Sequence, residues 1–241
     1  MVIWKDLTEK LSRDFHLVLL DLPGHGKSSK PIGRYPPKRM AVAALDLIDQ
    51  LGLKKPILLG NSLGGATTIE TALLAPDKIK AIALLGAPGG SQHPGVIGHF
   101  VRSLAHSKNV ASISPAVAHF MWWLIAQTSN PLSGETVDTT WVQPRKTKQW
   151  PLFARAMSKA LEELLVWNPP VEQISVPALV VQGQTDIIVW PWFGSALAKR
   201  IKGSEYKPLN SCGHFPQLQC LDKLMKVLKP FLEQHAPSNS D

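Results

Sequence analysis

The chain has 241 residues, 44% of them hydrophobic and 18% charged, which is material for one large globular domain or one domain with an insertion. Its formal net charge is +8. The basic residues are dispersed, the densest groups such as Arg145-Lys146-Thr147-Lys148 are short, and none is interleaved with aromatics, so a nucleic-acid module is excluded and a solvated basic surface is expected.

Apolar runs of strand length alternate with helical patterns along the chain. His16 to Leu20 reads as a strand and ends in a tight glycine turn, Asp21-Leu22-Pro23-Gly24-His25-Gly26. An amphipathic helix is expected from Met40 to Leu51. Pro56 to Leu59 reads as a buried strand and Leu63 to Leu74 as a helix directly after it; Ile79 to Leu85 is the next strand. About Gly89 to Trp150 the rhythm breaks, with Trp122, Trp123, Trp141 and Trp150 among several Pro, Ser and His residues. This stretch is expected to be a mostly helical cap above the C-terminal strand ends, where open parallel sheets bind ligands. Its tryptophans are read first as packing the cap, and second as lining an apolar pocket. The rhythm resumes with a strand at Ala178 to Gln182, a helix around Ser195 to Ile201, a short strand near Tyr206 and a closing helix from Gln217 to about Gln234. Apolar strands alternating with helices predict an α/β fold, a mostly parallel sheet covered by helices on both faces. The core is assigned to 1–88 and 151–241, and the cap insertion to 89–150.

The two cysteines, Cys212 and Cys220, make no disulfide framework and are expected to be reduced thiols. The N-terminal MVIWKDLTEK lacks a basic stretch followed by an apolar core, and the longest apolar run, Ala116 to Ala126, is too short to cross a bilayer. A cytoplasmic protein without stable membrane insertion is the expectation.

Chemistry concentrates at Gly60-Asn61-Ser62-Leu63-Gly64, a serine between glycines where a strand turns into a helix through one residue. That junction forces strained backbone on Ser62, needs small neighbours because strand and helix nearly touch, and aims the hydroxyl out over a helix N-terminus. A serine hydroxyl needs a base, and the base needs an orienting carboxylate. Of the eight histidines, His214 lies in Ser211-Cys212-Gly213-His214-Phe215-Pro216, a loop between the last strand and the closing helix. His16 opens a strand, His25 lies in a turn, His93, His99, His106 and His119 fall in the cap and His235 in the tail. Asp186 follows a strand directly in Gln182-Gly183-Gln184-Thr185-Asp186; alone it reads as a turn or capping residue, but the order Ser62, Asp186, His214 suits this kind of elbow. The Leu63 N–H is the expected oxyanion donor. No metal cluster, CxxC pair or phosphate-binding glycine loop competes, so no cofactor is expected.

On these motifs the chain resembles the α/β-hydrolase fold family with a helical cap. Asp21 to Ser28 resembles the turn after its fourth strand, Gly60 to Gly65 the nucleophile elbow, Gly183 to Asp186 the acid loop and Gly213 to Pro216 the histidine loop. The resemblance implies a serine hydrolase acting through an acyl-enzyme, with a small or medium apolar ester-like substrate. Related outcomes are a carbon–carbon bond hydrolase, a thioesterase, an acyltransferase or a catalytically impaired binding protein. Asn61, Gly65 and Leu85 to Gly90 resemble the branch that hydrolyses carbon–carbon bonds of meta-cleavage products, while a serine at position 62 argues against haloalkane dehalogenases and epoxide hydrolases. The family also implies strands before the Asp21 turn, one of them central and supplying a second oxyanion donor. Met1 to Leu11 resembles the helix that follows that strand, so the sequence is expected to begin at an internal methionine; the alternative is that His16–Leu20 pairs directly with Ile57–Leu59.

Overall fold

The computed structural model describes residues 2–89 and 150–236. Residues 90–149 of the proposed cap, with Trp122, Trp123, Trp141 and four of the histidines, lie outside them. In chain order the helices and strands are α1 (Lys5–Leu11), α2 (Pro37–Gln50), β1 (Ile57–Asn61), α3 (Leu63–Leu74), β2 (Ala81–Leu85), α4 (Trp150–Val166), β3 (Ala178–Gly183), α5 (Pro191–Arg200), β4 (Glu205–Leu209), α6 (Pro216–Gln219) and α7 (Leu221–His235). The strands form one sheet in the order β1-β2-β3-β4, every neighbouring pair parallel.

Parallel strands need crossover helices, and side chains of period two give each face its own core. Ala81, Ala83, Leu85, Leu179, Val181 and Leu209 face Leu7 and Leu11 of α1 and Leu224, Leu228 and Phe231 of α7. Ile82, Leu84, Ala178 and Val180 face the other way, onto Ile48 of α2, Ile69 and Ala72 of α3, and Leu197 and Ile201 near the end of α5. Continuous apolar strands are the consequence of that two-sided burial.

The His16–Leu20 strand expected from the sequence does not form. Leu17 packs against the α1/α7 core, but Val18, Leu19 and Leu20 are 36–43% exposed and the run joins no ladder. Apolar composition suits a strand only where a neighbouring strand accepts it. Nor does the run pair with β1, so the alternative of direct closure is not what the structure contains. β1 is therefore the sheet's edge among the described residues, half-buried over Ile57–Leu59 rather than fully buried. Ser62 N–H donates to Leu85 O at its exit and Pro56 O accepts from Lys80 N at its entry, both at 3.0 Å. Even-numbered residues thus turn main chain toward β2, leaving Ile57, Leu59 and Asn61 to turn theirs to the free edge.

The closing helix is broken into α6 and α7 at Cys220, whose backbone (φ −152°, ψ 46°) is not helical. The reduced-thiol expectation is also corrected: Cys212 and Cys220 form a disulfide. Only seven residues separate them, but the histidine loop and α6 fold back on themselves and set the two Cα atoms 5.7 Å apart, within disulfide range.

Helix α4, which the sequence reading did not anticipate, lies over the Asp21 turn. Ala156 and Ala160 pack with Tyr35, Met40 and Leu63, Phe153 meets the His25 ring edge-on at 5.6 Å, and Arg34 pairs with Glu163. The enclosed His25 ring donates from Nδ1 to Pro23 O at 3.2 Å. Burial pushes the imidazole below its usual value, against the opposing pull of that carbonyl and of Asp21. As pH falls, the unfolded chain therefore binds this proton first, so stability is full above about pH 6.5 and declines below it. Urea midpoints measured between about pH 5 and 7.5 should show that decline, and His25→Asn should flatten it.

Candidate active site

Strand β1 passes into α3 through Ser62, whose φ of +53° is in the left-handed region unfavourable for a side-chain-bearing residue. The first helical hydrogen bond runs from Ala66 N–H to Ser62 O at 3.0 Å. This leaves Leu63 N–H among the unpaired donors of the helix start, beside the serine. Helix and strand touch closely: a Cβ at Gly60 would collide with the Gly64 carbonyl, and one at Gly65 with Ala87. Gly60→Ala should therefore cost about 1–3 kcal/mol, read from urea unfolding, or prevent folding altogether.

Asp186 leaves β3 through Gly183, where a Cβ would collide with the carbonyls of Cys212 and Gly213, so acid loop and histidine loop meet backbone to backbone. Thr185 reinforces this, donating from N–H and Oγ1 to Cys212 O at 3.0 and 2.9 Å. His214 Nδ1 donates to Asp186 Oδ2 at 2.8 Å, with both side chains buried. Asp186 Oδ1 accepts from the N–H groups of Ile188 (2.8 Å) and Val189 (3.0 Å), and Oδ2 also accepts from Gln182 Nε2 at 3.1 Å. Four donors converge on one carboxylate, and with Nδ1 donating to it the imidazole carries its acceptor on the far nitrogen, Nε2.

Asn61 connects this pair to the serine. Its Nδ2 donates to His214 O at 2.9 Å and to Leu85 O at 3.0 Å, and its Oδ1 accepts from Gln217 Nε2 at 3.3 Å. The residue before Ser62 thus holds the main chain of His214, and a Cβ at Gly86, just past the end of β2, would lie 3.1 Å from Asp186 Oδ2 and 3.4 Å from His214 Nδ1. The structure brings Ser62, His214 and Asp186 to one rim, at the C-terminal ends of β1, β4 and β3. It supplies the His214–Asp186 hydrogen bond; among the described residues none joins the Ser62 hydroxyl to the imidazole. Free enzymes often hold that contact long and tighten it on substrate.

Sequence reasoning missed the roles of Asn61, Gln182 and Gln217, for which residue type and spacing carry no signal, and the apolar rim of the acid loop. Ile187 and Ile188 are each 37% exposed, and Trp190 and Trp192 meet edge-on at 4.4 Å. No group of three or more His, Cys, Asp or Glu side chains among the described residues could hold a metal.

A sequence model described as the alpha/beta hydrolase fold matches residues 1–219. The chain belongs to the α/β-hydrolase family. Its relatives include a 2-hydroxy-6-oxononadienedioate/2-hydroxy-6-oxononatrienedioate hydrolase of Klebsiella pneumoniae, 25% identical over 234 residues, covering 90% of this chain and 76% of the relative. Another is the dihydrolipoyllysine-residue acetyltransferase component of the acetoin cleaving system of Pseudomonas putida, 24% identical over 236 residues. That match covers 93% of this chain, which spans 58% of the relative's length. Among solved structures, MenH from S. aureus superposes with a TM-score of 0.79 at 20% identity, over 98% of this chain and 90% of that one. The CarC serine hydrolase involved in carbazole degradation gives 0.77 at 21% identity, over 97% and 85%. At these identities the superpositions establish the fold, and the protein is a hydrolase of that fold.

Proposed function

We propose that this hydrolase cleaves ester-like bonds of small or medium apolar substrates through Ser62, His214 and Asp186. The observation that carries the reading is the buried His214–Asp186 hydrogen bond tied through Asn61 to a serine with left-handed backbone. Ser62 Oγ attacks the carbonyl carbon as His214 Nε2 takes its proton. The imidazolium then protonates the leaving group, and a water deprotonated by the same ring releases the acyl group. Asp186 holds Nδ1–H and stabilises the imidazolium, and Leu63 N–H faces the oxyanion. The chemistry requires no metal or organic cofactor. Exposed Ile187, Ile188, Trp190 and Trp192 around the acid loop favour apolar acyl or alcohol groups.

Carbon–carbon bond hydrolysis is the second reading, favoured by four relatives at 23–25% identity that carry the oxononadienedioate hydrolase name. Parallel assays with p-nitrophenyl esters and a vinylogous 1,5-diketone dienoate separate the two by kcat/KM. A fluorophosphonate probe should label Ser62, and a folded sample that resists labelling would point instead to a binding protein. Ser62→Ala should lower kcat by roughly 10⁴–10⁶-fold with folding intact, and Asp186→Asn by roughly 10⁴-fold; an Asp186→Asn enzyme of full activity would make Asp186 the wrong carboxylate.

No helix among the described residues is long and apolar enough to cross a membrane. The cytoplasmic expectation drew on two reduced thiols and on an N-terminus without an export pattern, and the Cys212–Cys220 disulfide removes the first of these two supports.

A further inference from the structure

Gln182 is the penultimate residue of strand β3, just before the acid loop, and is fully buried. Its Nε2 faces three acceptors: Val189 O at 2.9 Å, Asp186 Oδ2 at 3.1 Å and Gly183 O at 3.3 Å. That surrounding fixes the amide's orientation, because exchanging its oxygen and nitrogen would set the oxygen against a carboxylate and two carbonyls. Two features of the fold accommodate the amide there at some cost. Its Oε1 is buried with no protein partner among the described residues. In α5, Gly194 occupies a helix-interior position where alanine is ordinarily the better residue, and a Cβ there would lie 2.6 Å from Gln182 Oε1 and 2.8 Å from its Cβ and Cγ.

We infer that Gln182 is a positioning residue, locking the Asp186 carboxylate in the rotation that presents Oδ2 to His214. The carboxylate has one free torsion. Ile188 and Val189 N–H fix Oδ1 from one side, and Gln182 fixes Oδ2 from the other while tying it to Val189 O, the carbonyl of the same loop. Asp186, His214 and Gln182 therefore share a single oxygen, and the amide decides where that oxygen sits. The inference rests on the triad reading proposed above.

The test compares Gln182→Met, which keeps the volume but removes the donor, with Gly194→Ala, which crowds the amide without removing it. Active sites are counted by fluorophosphonate titration so that kcat refers to folded enzyme only. Both variants should lose about tenfold in kcat, the scale of one hydrogen bond, with KM unchanged, and the low-field proton resonance of His214 Nδ1–H should move in each. A Gln182→Met enzyme whose titrated kcat and Nδ1–H resonance match the parent, with only thermal stability lowered, would overturn the inference and reduce Gln182 to packing. Ser62→Ala and His214→Ala run alongside keep the two failures apart. If those variants remain active, the triad reading fails; if they are dead while Gln182→Met is fully active, only the role of Gln182 fails.

Discussion

The left-handed backbone of Ser62 is the constraint on which the rest of the structure depends. A residue with a side chain at φ +53° is unfavourable on its own and persists only where its surroundings over-determine it. Here they do: β1 is held to β2 through Ser62 N–H and Leu85 O, α3 begins on the carbonyl of the same serine, and Gly60 and Gly65 let the helix lie against the sheet with no side chain between. Widening that contact by one methyl group would move the serine away from the rim it shares with His214.

The second layer of the site is made of main-chain contacts and buried amides rather than salt bridges. Acid loop and histidine loop touch through Gly183, Cys212 and Thr185; elbow and histidine loop touch through Asn61, which Gln217 holds from α6. Buried amides can do this without the desolvation cost that a second charge beside Asp186 would carry. The disulfide between Cys212 and Cys220 closes the same loop from its other side, so His214 sits on a short segment restrained at both ends and in the middle.

The sheet is less symmetrical than its site. At β4 the Leu209 carbonyl accepts from Gln184 N–H, so that strand is bound into the acid loop as well as to β3. β1 has β2 on one side, and the main-chain groups of Ile57, Leu59 and Asn61 on the other join no strand among the described residues. The nucleophile therefore stands at the end of the strand that is the sheet's edge among the described residues, and the run Val18–Leu20, which joins no ladder, leaves its apolar side chains exposed.

Local sequence determined the elements that carry their own signal. The alternation of apolar runs and helical periods located all four strands of the sheet, the short one near Tyr206 included, and with them the α/β class, because strands alternating with helices pair in parallel beneath helical layers. Gly60-Asn61-Ser62-Leu63-Gly64 declared the elbow, since only small residues let strand and helix meet so closely, and Gly213-His214 and Gly183 with Asp186 declared the loops that join it. Tertiary structure decided what depends on partners distant in the chain. His16–Leu20 has strand composition but no ladder to enter; Cys212 and Cys220 bond because a broken helix folds one back onto the other; and Asn61, Gln182 and Gln217 become the framework of the site only through acceptors that other strands and loops deliver. A side chain's type and spacing state what it can donate, while what it meets is set by the packing of segments more than a hundred residues apart, as with Asn61 and His214.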